Sequence, residues 1–164
     1  MTHRGLAQSL LYLVGMKRLL PVLLATLSLC AGARADLGDT PAQAESRYGA
    51  AQGARKEDTS GVTTKYYASG GFGVVVRFLG GKSESESYIK EHKAEFTADE
   101  IAVLLKANTL GSEWQSVYKT ATAERWQLKS RQATALYSRT DHTFTFSTKE
   151  YNRASNRIKL IDSD

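Results

Sequence analysis

The chain has 164 residues, with 22 basic and 17 acidic side chains, a net charge of +5 at pH 7 and a single cysteine, Cys30. Four basic residues and no acidic residue lie in residues 1–35, so residues 36–164 hold 18 basic and 17 acidic side chains and a net charge of about +1. This near neutrality argues against a nucleic-acid-binding domain. The lack of cysteine after residue 35 excludes disulfides and thiolate chemistry there.

Residues 1–35 have the composition of a secretory signal peptide. The charged residues 16–18 (MKR) precede the apolar run 19–29, and residues 33–35 (ARA) form an A-x-A cleavage site. The apolar run is shorter than the roughly 20 residues needed to cross a bilayer, which disfavours an uncleaved anchor. We therefore expect cleavage before Asp36 and export, either to a periplasm or to the cell exterior.

Two further expectations concern the leader. The signal is complete from Met16, so residues 1–15 are expected to come from an upstream start codon, and whether they are translated stays open. Leu29 precedes Cys30 at a position where a lipoprotein signal requires a small residue. We therefore expect no lipid anchor.

A first helix is predicted to begin after Thr40 and to end at Gly49. Thr40 and Gln43 form a capping box, and Pro41 occupies the first helical position. The following segment, residues 50–61, lacks a hydrophobic period and is predicted to be a mobile loop.

The stretch GGFGVVVRFLGGKS, residues 70–83, superficially matches two glycine-rich phosphate-binding fingerprints. Both require a glycine where Val76 stands, and a side chain there prevents the close approach of backbone to phosphate. Apolar residues instead alternate over 72–79, which predicts a half-buried strand with Val76 in the core. The flanking pairs Gly70-Gly71 and Gly80-Gly81 predict hairpin turns.

The same order of elements is predicted to occur twice. A second capping box, Thr97 with Glu100, begins a helix whose apolar stripe is Ile101, Leu104 and Leu105. Strands are predicted near 62–68, 72–79, 83–90, 124–129, 133–138 and 142–148. Residues 108–119 are left open between a fourth strand and an irregular arm.

The predicted fold is therefore a single α+β domain over residues 36–164. It consists of two tandem helix-plus-three-strand units, pseudo-repeats over 37–90 and 97–148, that form a mainly antiparallel sheet with helices on one face. Residues 152–164 are predicted to be a polar C-terminal tail. Trp126, Leu128, Phe144 and Phe146 are expected to point into the core from their strands.

No established catalytic or metal-binding motif is present after the leader. The two histidines there, His92 and His142, lie outside H-E-x-x-H and G-x-S-x-G patterns. Glu91 and Glu95 are potential metal ligands beside His92, but a charged run between elements is typical of a solvated connection. We expect no catalytic residue, no metal and no cofactor.

A pair of carboxylates is the remaining chemical candidate. Glu84 and Glu86 are two residues apart in SESESY and share one strand face with Tyr88. Glycosidases use paired carboxylates, yet they also require a substrate cleft, which the sequence does not indicate.

The segments LGDTPAQAESRYG, TKYYAS and VVVRFLGGK resemble the small envelope domains of the SmpA/OmlA and beta-lactamase-inhibitor-protein type. Those families place a short helix ending near glycine before a hairpin sheet, and the inhibitor carries two such units in tandem. The resemblance covers residues 37–90 and recurs as a pattern in 97–148. Ala50 stands where those families often have proline, and the inhibitor's cysteines are absent. The resemblance implies an exported binding or assembly module and assigns no functional residue.

A candidate binding surface follows from the predicted alternation of the strands. If the apolar residues Val74, Val76, Trp126 and Phe144 face the helices, the opposite sheet face presents Lys65, Arg77, Arg125 and Lys129, with Thr143 and Thr145 between them. An ordinary solvated sheet face is the alternative. Trp114 and Tyr118, on the segment left open above, are second candidates for binding.

The sequence thus predicts an exported, non-catalytic binding or envelope-assembly module. Its partner is expected to be an acidic protein or a polyanionic envelope component, without nucleic acid and without a stable membrane span after cleavage. The alternative is an exported small hydrolase with a site near His92 or His142. The oligomeric state is not predicted.

Overall fold

The computed structural model describes residues 37–56 and 61–161, with side chains over 37–55 and 61–156. The predicted signal peptide, its cleavage site and Cys30 lie outside the described residues.

Two helices begin at the predicted capping boxes. Helix α1 spans Pro41–Tyr48, where Gln43 N donates to Thr40 Oγ1 at 3.3 Å and Thr40 N donates to Gln43 Oε1 at 2.8 Å. Helix α2 spans Ala98–Ala107 and carries the same reciprocal pair between Thr97 and Glu100. Two otherwise unsatisfied backbone donors are bonded in each first turn, so both predicted helix starts are confirmed.

The described residues form one antiparallel sheet of eight strands. In chain order these are β1 Gly53–Lys56, β2 Thr63–Ser69, β3 Phe72–Leu79, β4 Lys82–Lys90, β5 Trp114–Lys119, β6 Ala123–Leu128, β7 Ala133–Ser138 and β8 Thr143–Thr148. Their order across the sheet is β1-β2-β3-β4-β8-β7-β6-β5. Two four-stranded meanders therefore meet edge to edge at β4 and β8.

The predicted two tandem helix-plus-three-strand units are wrong. Strand β1 lies inside the segment predicted as a mobile loop, and β5 lies in residues 108–119, which were left open. Both are outer strands of the sheet, where only one neighbour supplies hydrogen bonds and alternation is weak. A third helix, α3, spans Lys149–Ile161 and takes up most of the predicted polar tail 152–164.

The hairpin prediction for residues 70–83 is confirmed. Strand β3 coincides with the predicted limits, and Val76 is fully buried. The turn residues Gly70 and Gly71 have φ of 59° and 79°, and Gly80 and Gly81 have φ of 61° and 79°. Both turns require the left-handed backbone that glycine adopts without strain, so glycine here serves the chain reversal rather than a phosphate.

The core lies between the sheet and helices α1 and α2, on what we call the helix face. Aromatic rings dominate it: Phe144 and Phe146 have centroids 4.9 Å apart, and Phe96 stacks on Phe72 at 5.8 Å. The predicted core residues Ile101, Leu104, Leu128, Phe144 and Phe146 are buried, and Leu105 and Trp126 pack against them. Each large buried side chain stabilises the fold by about 1.5–3 kcal/mol.

Helix α3 lies on the other side of the sheet, which we call the open face. Tyr151 N donates to Thr148 Oγ1 at 3.1 Å, which caps the start of α3, and Asn152 Nδ2 donates to Thr134 Oγ1 at 3.4 Å. The neighbours of Thr134 in β7, Ala133 and Ala135, are buried on the helix face, so Thr134 points to the open face. The prediction that all helices lie on one face is therefore also wrong.

Candidate functional site

The strand register aligns residues into rows that cross the open face. The central row is Gly53, Tyr66, Val75, Ser87, Thr145, Leu136, Arg125 and Tyr118. Three of its side chains are exposed apolar or aromatic groups: Tyr66 and Tyr118 at 41% each and Leu136 at 39%. The row therefore offers aromatic and aliphatic contact area together with one exposed arginine.

Two further rows flank the central row. One is Arg55, Thr64, Arg77, Ser85, Ser147, Thr134, Gln127 and Gln115. The other is Ala68, Gly73, Ile89, Thr143, Ser138 and Ala123. None of the three rows contains an acidic residue, whereas Glu86 and Glu124 point to the helix face. The charged side chains in these rows are therefore all arginines.

Hydroxyl groups hold part of this surface in place. Arg77 Nη1 donates to Ser87 Oγ at 3.0 Å, and Thr145 Oγ1 donates to the same oxygen at 3.0 Å. Ser85 and Ser147 share a further hydrogen bond of 3.2 Å. The guanidinium of Arg77 is thus anchored along the sheet, which lowers the conformational entropy that it would lose on binding.

The predicted basic face is assembled in part. Arg77 and Arg125 lie on the open face, as do Thr143 and Thr145. Lys65 does not, because it lies opposite Val76 on the helix face and forms an ion pair of 2.6 Å with Glu45 of α1.

Lys129, the fourth predicted basic residue, follows the end of β6. Its Nζ lies 2.5 Å from Glu113 Oε2, and both side chains are exposed. Lys129 therefore adds little free positive charge to the open face, since its neighbour balances it.

The two aromatic residues of the segment left open, Trp114 and Tyr118, separate into different environments. Trp114 Nε1 donates to the carbonyl of Leu105 at 2.8 Å, and its ring lies 5.7 Å from that of Phe146, so Trp114 supports the core. A bulge between Ser116 and Tyr118 shifts the alternation and pairs Tyr118 with Arg125 on the open face.

Two residues of the central row, Tyr66 and Leu136, were not singled out from the sequence. The alternation in TKYYAS places the two adjacent tyrosines on opposite sheet faces, so an exposed Tyr66 is visible in the pattern. Leu136 lies in ATALYS between buried Ala135 and Tyr137 and carries no comparable signal, because apolar side chains predict burial.

The histidines occupy turns. His92 is exposed in a 3-10 turn over Glu91–Lys93, and His142 is half-buried between β7 and β8. Within the described residues, neither imidazole forms an ion pair or a hydrogen bond with a carboxylate, and no three acidic, histidine or cysteine side chains are grouped to hold a metal. No observation on these residues therefore favours the hydrolase.

The candidate carboxylate pair in SESESY does not form. Glu84 accepts a hydrogen bond from Thr148 Oγ1 at the end of the sheet. Glu86 is fully buried on the helix face, where Tyr48 Oη donates to it at 3.1 Å and Tyr88 Oη at 2.9 Å. We call these three residues the carboxyl–tyrosine cluster.

Burial controls the protonation of the carboxyl–tyrosine cluster. Desolvation raises the pKa of Glu86 to about 7, against the opposing effect of the hydrogen bonds from Tyr88 and Tyr48. Desolvation, with the nearby Glu86, also raises the pKa of both tyrosines. A carboxyl group that is closed off from solvent cannot meet a substrate, so the cluster is structural.

Among the described residues, no helix combines the length and apolar character that crossing a bilayer requires. The chain matches no protein-family model, no curated protein and no solved structure.

Proposed function

We propose that this protein is an exported, non-catalytic binding module whose open face docks an acidic surface of a partner protein. The observation that carries the proposal is the composition of the three rows, which include exposed tyrosines, a leucine and arginines but no acidic residue. Such a face is electrostatically complementary to a negative surface and repels a positive one.

The residue types of the central row favour a protein over other acidic partners. Tyrosine and arginine are enriched in protein–protein interfaces and among the residues that contribute most to affinity. Leu136 and Tyr118 provide apolar contact area on β7 and β5, with Arg125 between them, and Tyr66 adds a second area on β2, beyond the strands β4 and β8 that α3 contacts. An ordinary solvated face would have polar residues at those positions.

Export and family are further parts of the same proposal. The leader in residues 1–35 supports secretion, and the resemblance of residues 37–90 to SmpA/OmlA-type and beta-lactamase-inhibitor-protein-like domains agrees with a binding or assembly role. An extracytoplasmic partner with an acidic surface is the corresponding expectation.

Site-specific photo-crosslinking tests the location of the interface. A photoreactive phenylalanine analogue replaces Leu136 on the open face or, as a matched control, Val103, an exposed aliphatic residue on α2. The exported fraction of the native host is irradiated with each variant. We expect the Leu136 probe to capture a protein with an acidic surface. Capture only from the Val103 position would overturn the open-face assignment.

Charge reversal tests the role of the arginines. The double variant Arg77→Glu/Arg125→Glu should lose the captured protein, while Lys93→Glu/Lys106→Glu, the same charge change at exposed sites away from the open face, should retain it. Arg125, Lys93 and Lys106 are exposed, and such substitutions typically change stability by about 0.5 kcal/mol or less each. Arg77 is half-buried, so circular dichroism of both variants checks that the fold is retained. Equal capture by both variants, or capture of a polyanionic polymer without protein, would contradict the proposed partner.

A further inference from the structure

A cavity of about 350 Å³ lies between α3 and the open-face side of β6 and β7. Four of the residues that line it are cationic: Arg125 from β6, Arg131 from the following turn, and Lys149 and Arg153 from α3. We call it the cationic pocket. Among the residues that the structure describes, no acidic side chain lines it.

The side of α3 that lines the pocket is polar. Lys149, Asn152, Arg153 and Asn156 follow the spacing i, i+3, i+4, i+7, which places them on one helix face. Lys149, Arg153 and Asn156 are exposed on this side of the helix, and Asn152 is oriented toward the sheet by its bond to Thr134.

The four cations have no acidic counterpart within the described part of the chain. Lys65 and Lys90, by contrast, pair with glutamates at 2.6 and 2.9 Å, and Arg139 pairs with Glu124. Like charges that line one cavity repel one another, and a bound anion would relieve this repulsion. The pocket therefore combines concentrated positive charge with free hydrogen-bond donors.

We propose that the cationic pocket binds a compact anion carrying at least two phosphate groups. Guanidinium groups match two phosphate oxygens at once, and the lysine adds a point charge. One orthophosphate would leave most of the positive charge unbalanced, while the volume lies in the range of about 300–1,000 Å³ found for small-molecule sites. This inference does not rest on the docking proposal, with which it shares only Arg125.

Calorimetric titration with pyrophosphate tests the site. The unmodified protein is compared with Arg131→Gln/Arg153→Gln, which removes two pocket cations and leaves the central row intact. Arg77→Gln is the matched control, since it removes an arginine of the open face outside the pocket. We expect the pocket variant to bind at least about tenfold more weakly and the control to bind as the unmodified protein does. Orthophosphate should bind more weakly than pyrophosphate in every case.

Vesicle co-sedimentation distinguishes a free ligand from a lipid headgroup. Vesicles of phosphatidylcholine with cardiolipin, which carries two phosphates, are compared with phosphatidylcholine alone. Pyrophosphate binding without vesicle binding identifies a free anion, and vesicle binding that is lost in Arg131→Gln/Arg153→Gln identifies a headgroup. Neither form of binding, or binding that is unaffected by the pocket variant, would overturn the proposal. Circular dichroism of each variant confirms that the fold is retained.

Discussion

The buried carboxyl group of Glu86 should make stability fall as pH rises through the weakly acidic range. Its pKa lies near 7 in the folded protein, against an ordinary value of 4.5. Below about pH 4.5 the group is protonated in both the folded and unfolded states. Between that value and about pH 7 the unfolded chain loses the proton while the folded protein keeps it. The free energy of unfolding therefore decreases over this window and levels off above it.

The magnitude follows from the displacement of the pKa. Each pH unit between the two values corresponds to about 1.4 kcal/mol, so folding with the ionised carboxylate costs about 3 kcal/mol above pH 7. The substitution Glu86→Gln keeps the size of the side chain and removes the titration. Its amide has donors without acceptors in this cavity, which costs about 1–3 kcal/mol at every pH. The slope against pH, rather than stability at one pH, is therefore the diagnostic quantity.

Urea unfolding at pH 4.5, 6 and 8 provides the measurement. We expect the difference in unfolding free energy between the unmodified protein and Glu86→Gln to shift by about 3 kcal/mol in favour of the variant from pH 4.5 to 8. All other ionisable groups are common to the two proteins, so their contributions cancel in this difference. Glu113→Gln, an exposed carboxyl beside Lys129, is the control and should leave the slope in this window unchanged. Parallel pH profiles for Glu86→Gln and the unmodified protein would refute the reasoning.

Three other substitutions or measurements test the remaining structural inferences. Val76→Gly should lower the free energy of unfolding by more than about 1 kcal/mol and create no nucleotide affinity; unchanged melting with new ATP binding would contradict the hairpin. N-terminal sequencing of the exported protein should begin at Asp36, and a sequence that begins at Cys30 would indicate a lipoprotein. Asn108 is fully buried and accepts a hydrogen bond from Leu37 N at 3.2 Å. Asn108→Ala should therefore lower the free energy of unfolding, measured with urea, by about 1–3 kcal/mol; an unchanged value would show that this contact is dispensable.

The elements that could be predicted from the sequence are those specified by adjacent residues. The two capping boxes act over four residues, and strand β3 shows unbroken alternation between two glycine pairs. Strands β1 and β5 depend instead on hydrogen bonds to β2 and β6, which are contacts that a local pattern does not contain. Helix α3 is polar along much of its length, and its composition resembles that of a tail.

For the candidate site, too, the sequence predicts only what a local pattern contains. Alternation placed Arg77 and Arg125 correctly on the open face, but the face of Lys65 depends on its pairing with Val76, and cross-strand register is not encoded locally. The cationic pocket requires the C-terminal helix to return to the open face beside β7. That arrangement joins Arg125 and Arg153, which are 28 positions apart, and no motif spans such a separation.

The junction of β4 with β8 has a consequence for how the chain folds. Each four-stranded meander is built from neighbouring segments and closes with short loops, whereas β4 and β8 pair residues such as Ser87 and Thr145 across most of the second half. Contacts between residues that are far apart in the sequence form late. The chain must lose loop-closure entropy before such a contact can stabilise it. Docking of the two meanders should therefore limit the folding rate. Until the meanders dock, β4 and β8 each expose an unpaired edge. The β4 edge of one molecule can then pair with β8 of a second molecule, so domain swapping is the expected misassembly at high concentration.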